Sequence, residues 1–200
     1  VLLDQRGTGR STRVDAATPE LINADTLAQL RAPEIIKDAE AIREELGIER
    51  WDVLGQSFGG FCLLHYLSAA PEHIGVAMFT GGLASISEGP DAVYEATFAK
   101  LRARHRAFNR SYPEAERTMR EVCRHLEAAE ECLPTGERLT PRRFRTVGIE
   151  LGRQGGFATL ASLLESPFHP NGRLRTDFLA NVGQRVSFAA NPLYAAIHES

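Results

Sequence analysis

The chain has 200 residues, 43% of them hydrophobic and 24% charged, which is the composition of a globular protein with a sizeable core. Its formal net charge of −3, and the lack of any stretch near the ~20 apolar residues of a membrane span, give no reason to expect nucleic acid or a membrane as a partner. Three cysteines without metal-ligand spacing argue against a disulfide framework and favour a reducing cytoplasm.

The first residues predict a strand that leads into a loop. Residues 1–4 (VLLD) form a short apolar run, and the glycine-rich "QRGTGRS" follows it. Because this run opens the chain without an initiator methionine, we expect the sequence to be a central piece of a longer protein. Residues 33–46 then carry apolar side chains on one helical face and charged side chains on the other. Pro33 suits the first turn of this helix, and Gly47 suits its end.

The alternation of strand and helix continues along the next segments. "WDVLG" at 51–55 predicts a strand, "FGGFCLLHYLSAA" at 58–70 predicts a helix, and "IGVAMFT" at 74–80 predicts another strand. Strands that alternate with helices are joined by right-handed crossovers and form a parallel sheet. The sequence therefore predicts an α/β fold.

Beyond about residue 85 the pattern becomes helical. Residues 91–132 contain no strand-like run, and residues 142–166 and 174–199 also favour helix. We therefore expect two domains, a partial α/β core at residues 1–84 and a mainly helical cap at residues 85–200.

The segment "VLGQSFGGF" contains the motif G-x-S-x-G as Gly55-Gln56-Ser57-Phe58-Gly59. The motif lies between a predicted strand and a predicted helix, which is the context of a serine nucleophile on a strained turn. We expect Gly55 and Gly59 to be small because neighbouring backbone approaches them closely. The Phe58 N–H, at the start of the helix, would donate to an oxyanion. The alternative is a flexible loop that contains a serine by chance.

A serine nucleophile needs a base, usually a histidine oriented by a carboxylate, and in this kind of fold both follow the serine along the chain. After Gly82 the sequence offers no further buried strand that could present them. Asp91 and Asp177 lie in helical or polar surroundings. We therefore expect the catalytic Asp and His to lie beyond residue 200. The six histidines have helix or loop contexts and are His65, His73, His105, His125, His169 and His198.

The segments "DQRGTGRS" and "GQSFGGF" resemble the proline iminopeptidases, serine aminopeptidases of the α/β-hydrolase fold that release N-terminal proline from peptides. The likeness covers essentially the whole chain and is most specific over residues 1–82. It implies an acyl-enzyme on Ser57, with the Phe58 N–H as one oxyanion donor and a cap that binds the substrate amine. It also implies short peptides as partners, with no cofactor and no metal. The family's other oxyanion loop is absent from these residues. Because the base and its orienting acid are also expected to lie outside them, the isolated chain is expected to be inactive.

An aminopeptidase must recognise a free ammonium group, and a buried carboxylate is the obvious physical device. Glu199, in "AAIHES", is the first candidate because that stretch resembles the family's cap, and Glu165, in "LLESP", is the second. Each is alternatively a solvated helix glutamate. Asp4 and Arg6 are expected to pair and to brace the loop beside the nucleophile.

Two other functions remain open from the sequence. The same turn occurs in esterases and lactonases of this fold, because fold does not fix substrate. A non-catalytic protein of the hydrolase fold, used for binding, is the alternative outside enzymes. Dehalogenase and epoxide-hydrolase chemistry is disfavoured, because those enzymes carry Asp where this chain has Ser57.

Overall fold

The computed structural model describes residues 1–85 and 87–197, which divide into two compact units. Of the described residues, the first unit contains 1–85, 87–89 and 188–197, and the second contains 90–187. The sequence predicts a cap that extends to residue 200, but residues 188–197 pack within the first unit. Its Leu193 is buried in one apolar cluster with Val14 and Leu30, and this contact could not be inferred from local periodicity.

The first unit is built on a pair of parallel strands. Strands β1 (Trp51–Gln56) and β2 (Ile74–Thr80) pair from Trp51 opposite Ile74 to Gln56 opposite Thr80, so the predicted α/β arrangement is confirmed. Single 3₁₀ turns occupy Pro19–Leu21 and Pro71–His73. The helices and strands of this unit are α1 (Ala24–Ala28), α2 (Ala32–Glu45), β1 (Trp51–Gln56), α3 (Phe58–Ala69), β2 (Ile74–Thr80) and, after the second unit, α9 (Leu193–Ala196).

The two faces of this sheet differ. Helices α2 and α3 pack against one face and form a core with it. On the other face Leu54, Val76 and Met78 are 65%, 52% and 45% exposed. Alternate residues of a strand point to opposite faces, so these three side chains lie on the face that α2 and α3 leave uncovered. The buried core residues are Ile35, Ile36, Ala39, Cys62, Leu63, Tyr66, Ala70 and Ile74.

The strand predicted at residues 1–4 is wrong. Leu2 is 96% exposed, and among the described residues no strand pairs with this segment. A strand is stabilised by a neighbouring strand, so an apolar run without a ladder partner remains extended coil. The loop after it is ordered by a bond from the Val14 N–H to the Gly7 carbonyl oxygen at 2.9 Å.

The expected pairing of Asp4 with Arg6 is also wrong. The Arg6 guanidinium donates to both carboxylate oxygens of Asp38 in α2, at 2.7 and 2.6 Å, and to the Gln29 carbonyl at 2.9 Å. Asp4 accepts instead from the backbone N–H of Arg10 at 3.0 Å. A bidentate contact fits the planar guanidinium better than a single contact, so Arg6 fastens the loop to α2.

The second unit is helical, as predicted for residues 91–132. Pro113 separates its two longest helices, because proline is tolerated in a first helical turn but not in a helix interior. The unit contains α4 (Pro90–Ser111), α5 (Pro113–Ala128), α6 (Pro141–Arg145), a 3₁₀ segment (Thr146–Gly152), α7 (Gly156–Leu163) and α8 (Thr176–Val186). Its core side chains without solvent exposure are Val122, Leu139, Phe144, Val147 and Val182. Over the described parts of both units, no helix has the length and apolarity needed to cross a bilayer.

A buried carboxylate connects the loops of the second unit. Glu131 is 2% exposed and accepts two bonds from Arg173, at 2.9 and 2.8 Å, and one from the Leu174 N–H at 3.1 Å. His125 Nε2 lies 2.8 Å from the same carboxylate. The Arg173 hydrogen bonds, together with those from His125 and Leu174, lower the pKa of Glu131 to about 2. Because every one of these partners favours the charged form, Glu131 is a structural anion.

Removing the Glu131 charge is expected to destabilise the protein at neutral pH. It is also expected to reduce the loss of the free energy of unfolding as the pH falls from 4.5 towards 2. The folded pKa of Glu131 lies below its usual 4.5, so its contribution is present above pH 4.5 and is lost as the pH falls towards 2. Glu131→Gln should cost about 1–3 kcal/mol at pH 7, measured by chemical unfolding of the whole protein. Glu127→Gln, at an exposed helix position, is the matched control. An unchanged slope of stability between pH 4.5 and 2 in Glu131→Gln would contradict this role.

Candidate active site

Ser57 lies at the corner between β1 and α3 in an unusual backbone conformation. Its φ is +52° and its ψ is −118°, and among the described residues it is the one residue other than glycine with a positive φ. Side chains with a Cβ are strained in this region, by about 1–3 kcal/mol. The sharp bend expected from the motif is therefore present at Ser57, whose side chain is exposed.

Backbone hydrogen bonds hold this turn on both sides. The Ser57 N–H donates to the Thr80 carbonyl at 2.9 Å and so extends the parallel ladder by one residue. The Gly60 N–H donates to the Ser57 carbonyl, also at 2.9 Å. The strained residue is thus fixed to β2 through its N–H and to the first turn of α3 through its carbonyl.

The glycines around Ser57 allow backbone segments to lie against one another. A Cβ placed on Gly55 would lie closer than 3.0 Å to the carbonyl group of Gly59, and one placed on Gly60 would lie closer than 3.0 Å to the carbonyl of Gly82. At Gly59, however, an added Cβ would meet no described atom within 4 Å outside its own turn. The clash expected for a side chain at Gly59 is therefore found one residue later, because position 60 is the one that faces Gly82, just after β2.

The Phe58 N–H is the first donor of α3. The first N–H groups of a helix have no acceptor within that helix, and the helix dipole places partial positive charge there. No side chain caps this end of α3. The geometry can therefore supply one donor to a negative oxygen next to the Ser57 hydroxyl.

Among residues 1–85 and 87–197 the Ser57 hydroxyl makes no hydrogen bond to a histidine or a carboxylate. His73 Nδ1 lies 2.5 Å from Glu40, at the opposite end of the strands from Ser57, and His125 contacts Glu131 in the second unit. His65 is half-buried on α3, while His105 and His169 are exposed. His198 lies outside the described residues.

The carboxylates that the sequence proposes as site residues differ in their partners and in their exposure. Asp177 is paired with Arg175 at 2.7 Å. Glu165 is exposed, so the burial expected of an amine-binding carboxylate is not present there, and Glu199 lies outside the described residues. Glu165 lines a pocket of about 650 Å³ within the second unit, together with Thr159, Ser162, Arg175, Asp177 and Asn181.

Other reactive groups do not form a competing site. The Cys62 thiol is buried in α3, and this burial raises its pKa to about 11, which leaves it protonated and unreactive. Within the described ranges no three His, Cys, Asp or Glu side chains come together as a metal site requires. The strained serine is therefore the feature that chemistry can use.

The comparison with known families decides which fold this turn belongs to. A profile of the alpha/beta hydrolase fold matches residues 1–183 of the chain. The chain belongs to the α/β-hydrolase family. In this α/β-hydrolase, the G-x-S-x-G segment around Ser57 lies at the junction between strand β1 and helix α3.

Curated relatives of this α/β-hydrolase include proline iminopeptidases, which confirms the resemblance seen in its motifs. The proline iminopeptidase of Aeromonas sobria is 41% identical over 204 residues, which cover 100% of this chain and 48% of that protein. Proline iminopeptidase aneH of Aspergillus aculeatus is 32% identical over 167 residues, 78% of this chain and 37% of that protein. A probable proline iminopeptidase of Streptomyces coelicolor is 41% identical over 81 residues, 40% of this chain and 24% of that protein. The chain thus spans about half or less of the length of these relatives.

Two glycines beside the turn of this α/β-hydrolase, Gly60 and Gly82, lie outside the G-x-S-x-G motif itself. Both lie in glycine pairs, Gly59-Gly60 and Gly81-Gly82, each directly beside a predicted element boundary. Paired glycines at such a boundary were the available signal, because glycine there permits a close approach of two backbones.

The strain at Ser57 can be measured with two substitutions that both remove the hydroxyl. Ser57→Gly removes the Cβ and so relieves the strain of the positive φ, whereas Ser57→Ala keeps the Cβ and the strain. Relief of ~1–3 kcal/mol exceeds the ~0.5–1 kcal/mol by which glycine favours the unfolded chain. We therefore expect Ser57→Gly to be about 1 kcal/mol more stable than Ser57→Ala in chemical unfolding. Equal stability, or a more stable Ser57→Ala, would show that the turn is not strained.

Proposed function

We propose that the protein containing this chain is a serine hydrolase that releases N-terminal proline from peptides. One observation carries the proposal, namely that Ser57 is held at positive φ between β1 and α3 with an exposed hydroxyl. The names of the relatives, which are proline iminopeptidases, support the choice of substrate.

The proposed reaction begins with the Ser57 hydroxyl. Its Oγ attacks the carbonyl carbon of the N-terminal proline residue, and its proton passes to a base. The carbonyl oxygen becomes an oxyanion that accepts a hydrogen bond from the Phe58 N–H. The rest of the peptide then leaves as an amine, which takes the proton from the protonated base, and a proline ester on Ser57 remains. Water activated by the same base hydrolyses this ester.

We propose that the base and the acid that orients it come from residues beyond position 200. This is supported by the absence of any side-chain partner for the Ser57 hydroxyl within the described ranges. The relatives are also about twice as long as this chain or longer, which leaves room for those residues. The 200 residues alone are therefore expected to be inactive.

We further propose that a carboxylate, Glu165 or Glu199, binds the substrate ammonium. Glu165 remains a candidate because it lines a pocket with hydroxyl and amide groups and has no ion-pair partner among the described residues. An exposed carboxylate binds an ammonium weakly, so Glu165 would need the substrate itself to exclude water from it. Glu199 remains the alternative candidate.

The same proposal places the protein in the cytoplasm, acting on short peptides. All three cysteines, Cys62, Cys123 and Cys132, are free thiols, which is the state that a reducing compartment maintains. An esterase or lactonase is the competing enzyme, since the turn at Ser57 serves ester and amide substrates equally well.

A fluorophosphonate probe tests the nucleophile. We expect the full-length protein to be labelled at Ser57, because the probe reacts with serines activated by a base, and Ser57→Ala to abolish the labelling. The 200-residue chain should not be labelled, since no base reaches its hydroxyl. Mass spectrometry of the digested protein identifies the modified residue. Modification of another serine in the full-length protein would overturn the assignment.

A comparison of two substrates tests the specificity. We expect the full-length protein to hydrolyse proline β-naphthylamide and to discriminate against the same amide with an acetylated proline nitrogen, because acetylation removes the ammonium charge. Turnover of a short p-nitrophenyl ester alone would replace the peptidase by an esterase. If Glu165 binds the ammonium, Glu165→Gln should raise the KM for the proline amide about tenfold, the value of one lost charged hydrogen bond. An unchanged KM would leave Glu199 as the candidate.

A further inference from the structure

The two residues that follow β2, Gly81 and Gly82, lie next to the turn at Ser57. Gly81, the first residue after the strand, has a φ of +64°, which turns the chain sharply. Gly82 follows and is buried. A Cβ placed on Gly82 would lie closer than 3.0 Å to the carbonyl group of Ser57. The Gly82 backbone therefore packs directly against the carbonyl of the strained residue.

The Ser57 carbonyl is thus held from two directions. The Gly60 N–H donates to it at 2.9 Å, and the Gly82 backbone lies against it. Gly82 also packs against Gly60, because a Cβ on Gly60 would collide with the Gly82 carbonyl. Contacts between backbone atoms leave little freedom, since a backbone has no alternative rotamer to adopt.

The orientation of this carbonyl has a direct chemical consequence. The Ser57 carbonyl and the Phe58 N–H belong to one peptide group, which is planar, so they point in opposite directions along one axis. Any contact that fixes the carbonyl oxygen therefore also fixes the direction of the N–H. Gly82 lies on the carbonyl side of this peptide group.

We propose that Gly82 is a positioning residue that aims the Phe58 N–H at the reacting oxygen. This inference rests on the proposed function, because it concerns the oxyanion of that reaction. Gly82 is required to be glycine because a methyl group at this position displaces the Ser57 carbonyl and tilts the peptide. The tilt misdirects a donor whose complete loss costs about 10²–10³ in kcat in a serine hydrolase.

The variant Gly82→Ala in the full-length protein tests this role. We expect its kcat to fall at least tenfold and its KM to change less than twofold, because the donor acts on the transition state and not on the bound substrate. The substrate is whichever of the proline amide and the p-nitrophenyl ester the unsubstituted protein hydrolyses. Rates are normalised to the sites that fluorophosphonate titrates. Gly89→Ala is the control, because a Cβ at Gly89 meets no described atom within 4 Å.

The possible outcomes separate this inference from the proposed function. A merely structural role lowers the melting temperature and the yield of Gly82→Ala but leaves kcat per titrated site within twofold of that of Gly89→Ala. That result overturns the inference and leaves the proposed function intact. A full-length protein that neither turns over substrate nor reacts at Ser57 overturns both.

If Gly82→Ala does not fold, two further measurements decide. Gly60→Ala disturbs the same contact, because its methyl group would meet the Gly82 carbonyl. A fall in its kcat without a change in KM supports the inference, whereas an unchanged kcat overturns it. If that variant is also not recovered, a crystal structure of the unsubstituted full-length protein gives the answer. Gly82 Cα in contact with the Ser57 carbonyl supports the inference, and a separation by solvent or a side chain overturns it.

Discussion

The structure depends on one unfavourable backbone conformation, the positive φ of Ser57. A residue with a Cβ adopts this conformation only where its surroundings impose it. Here a ladder bond to Thr80, a turn bond from Gly60 and the backbone of Gly82 impose it together. The register of β1 on β2 is therefore part of the site, since a shift of one residue would remove the acceptor of the Ser57 N–H.

In the first unit, the strained turn at Ser57 and the main polar cluster lie at opposite ends of the two strands. The strained turn lies at the carboxyl ends of β1 and β2, whereas a polar cluster lies near their amino ends. There Glu40 accepts from Tyr66 and from Arg43, the latter at 3.1 and 3.0 Å, and the Trp51 indole donates to Tyr66 at 3.0 Å. These bonds connect α2, α3 and β1 and contain no group that the proposed reaction uses. Support at one end of the strands allows the other end to be strained and exposed.

Features that depend on neighbouring residues could be predicted from the sequence, and features that depend on distant ones could not. The elements around Ser57 follow from local periodicity and from the spacing of the glycines in G-x-S-x-G. The N-terminal run failed as a strand because pairing is a property of two segments, only one of which the pattern describes. Arg6 was paired with Asp4, its neighbour in sequence, although its partner is Asp38 at a separation of 32 residues. Leu193 and Gly82 were missed for the same reason, because each acts through a contact with a distant segment.

The path of the chain has a consequence for how such a protein diversifies. The first unit is assembled from residues on both sides of the second, which leaves it near residue 89 and returns near residue 188. The helical unit is thus an insertion within a host domain, joined to it by two peptide links. Insertions at surface positions can be lengthened, shortened or exchanged without reordering the strands of their host. A lineage of such proteins can therefore change its inserted helices while the strands of the host and the turn at Ser57 are inherited unaltered.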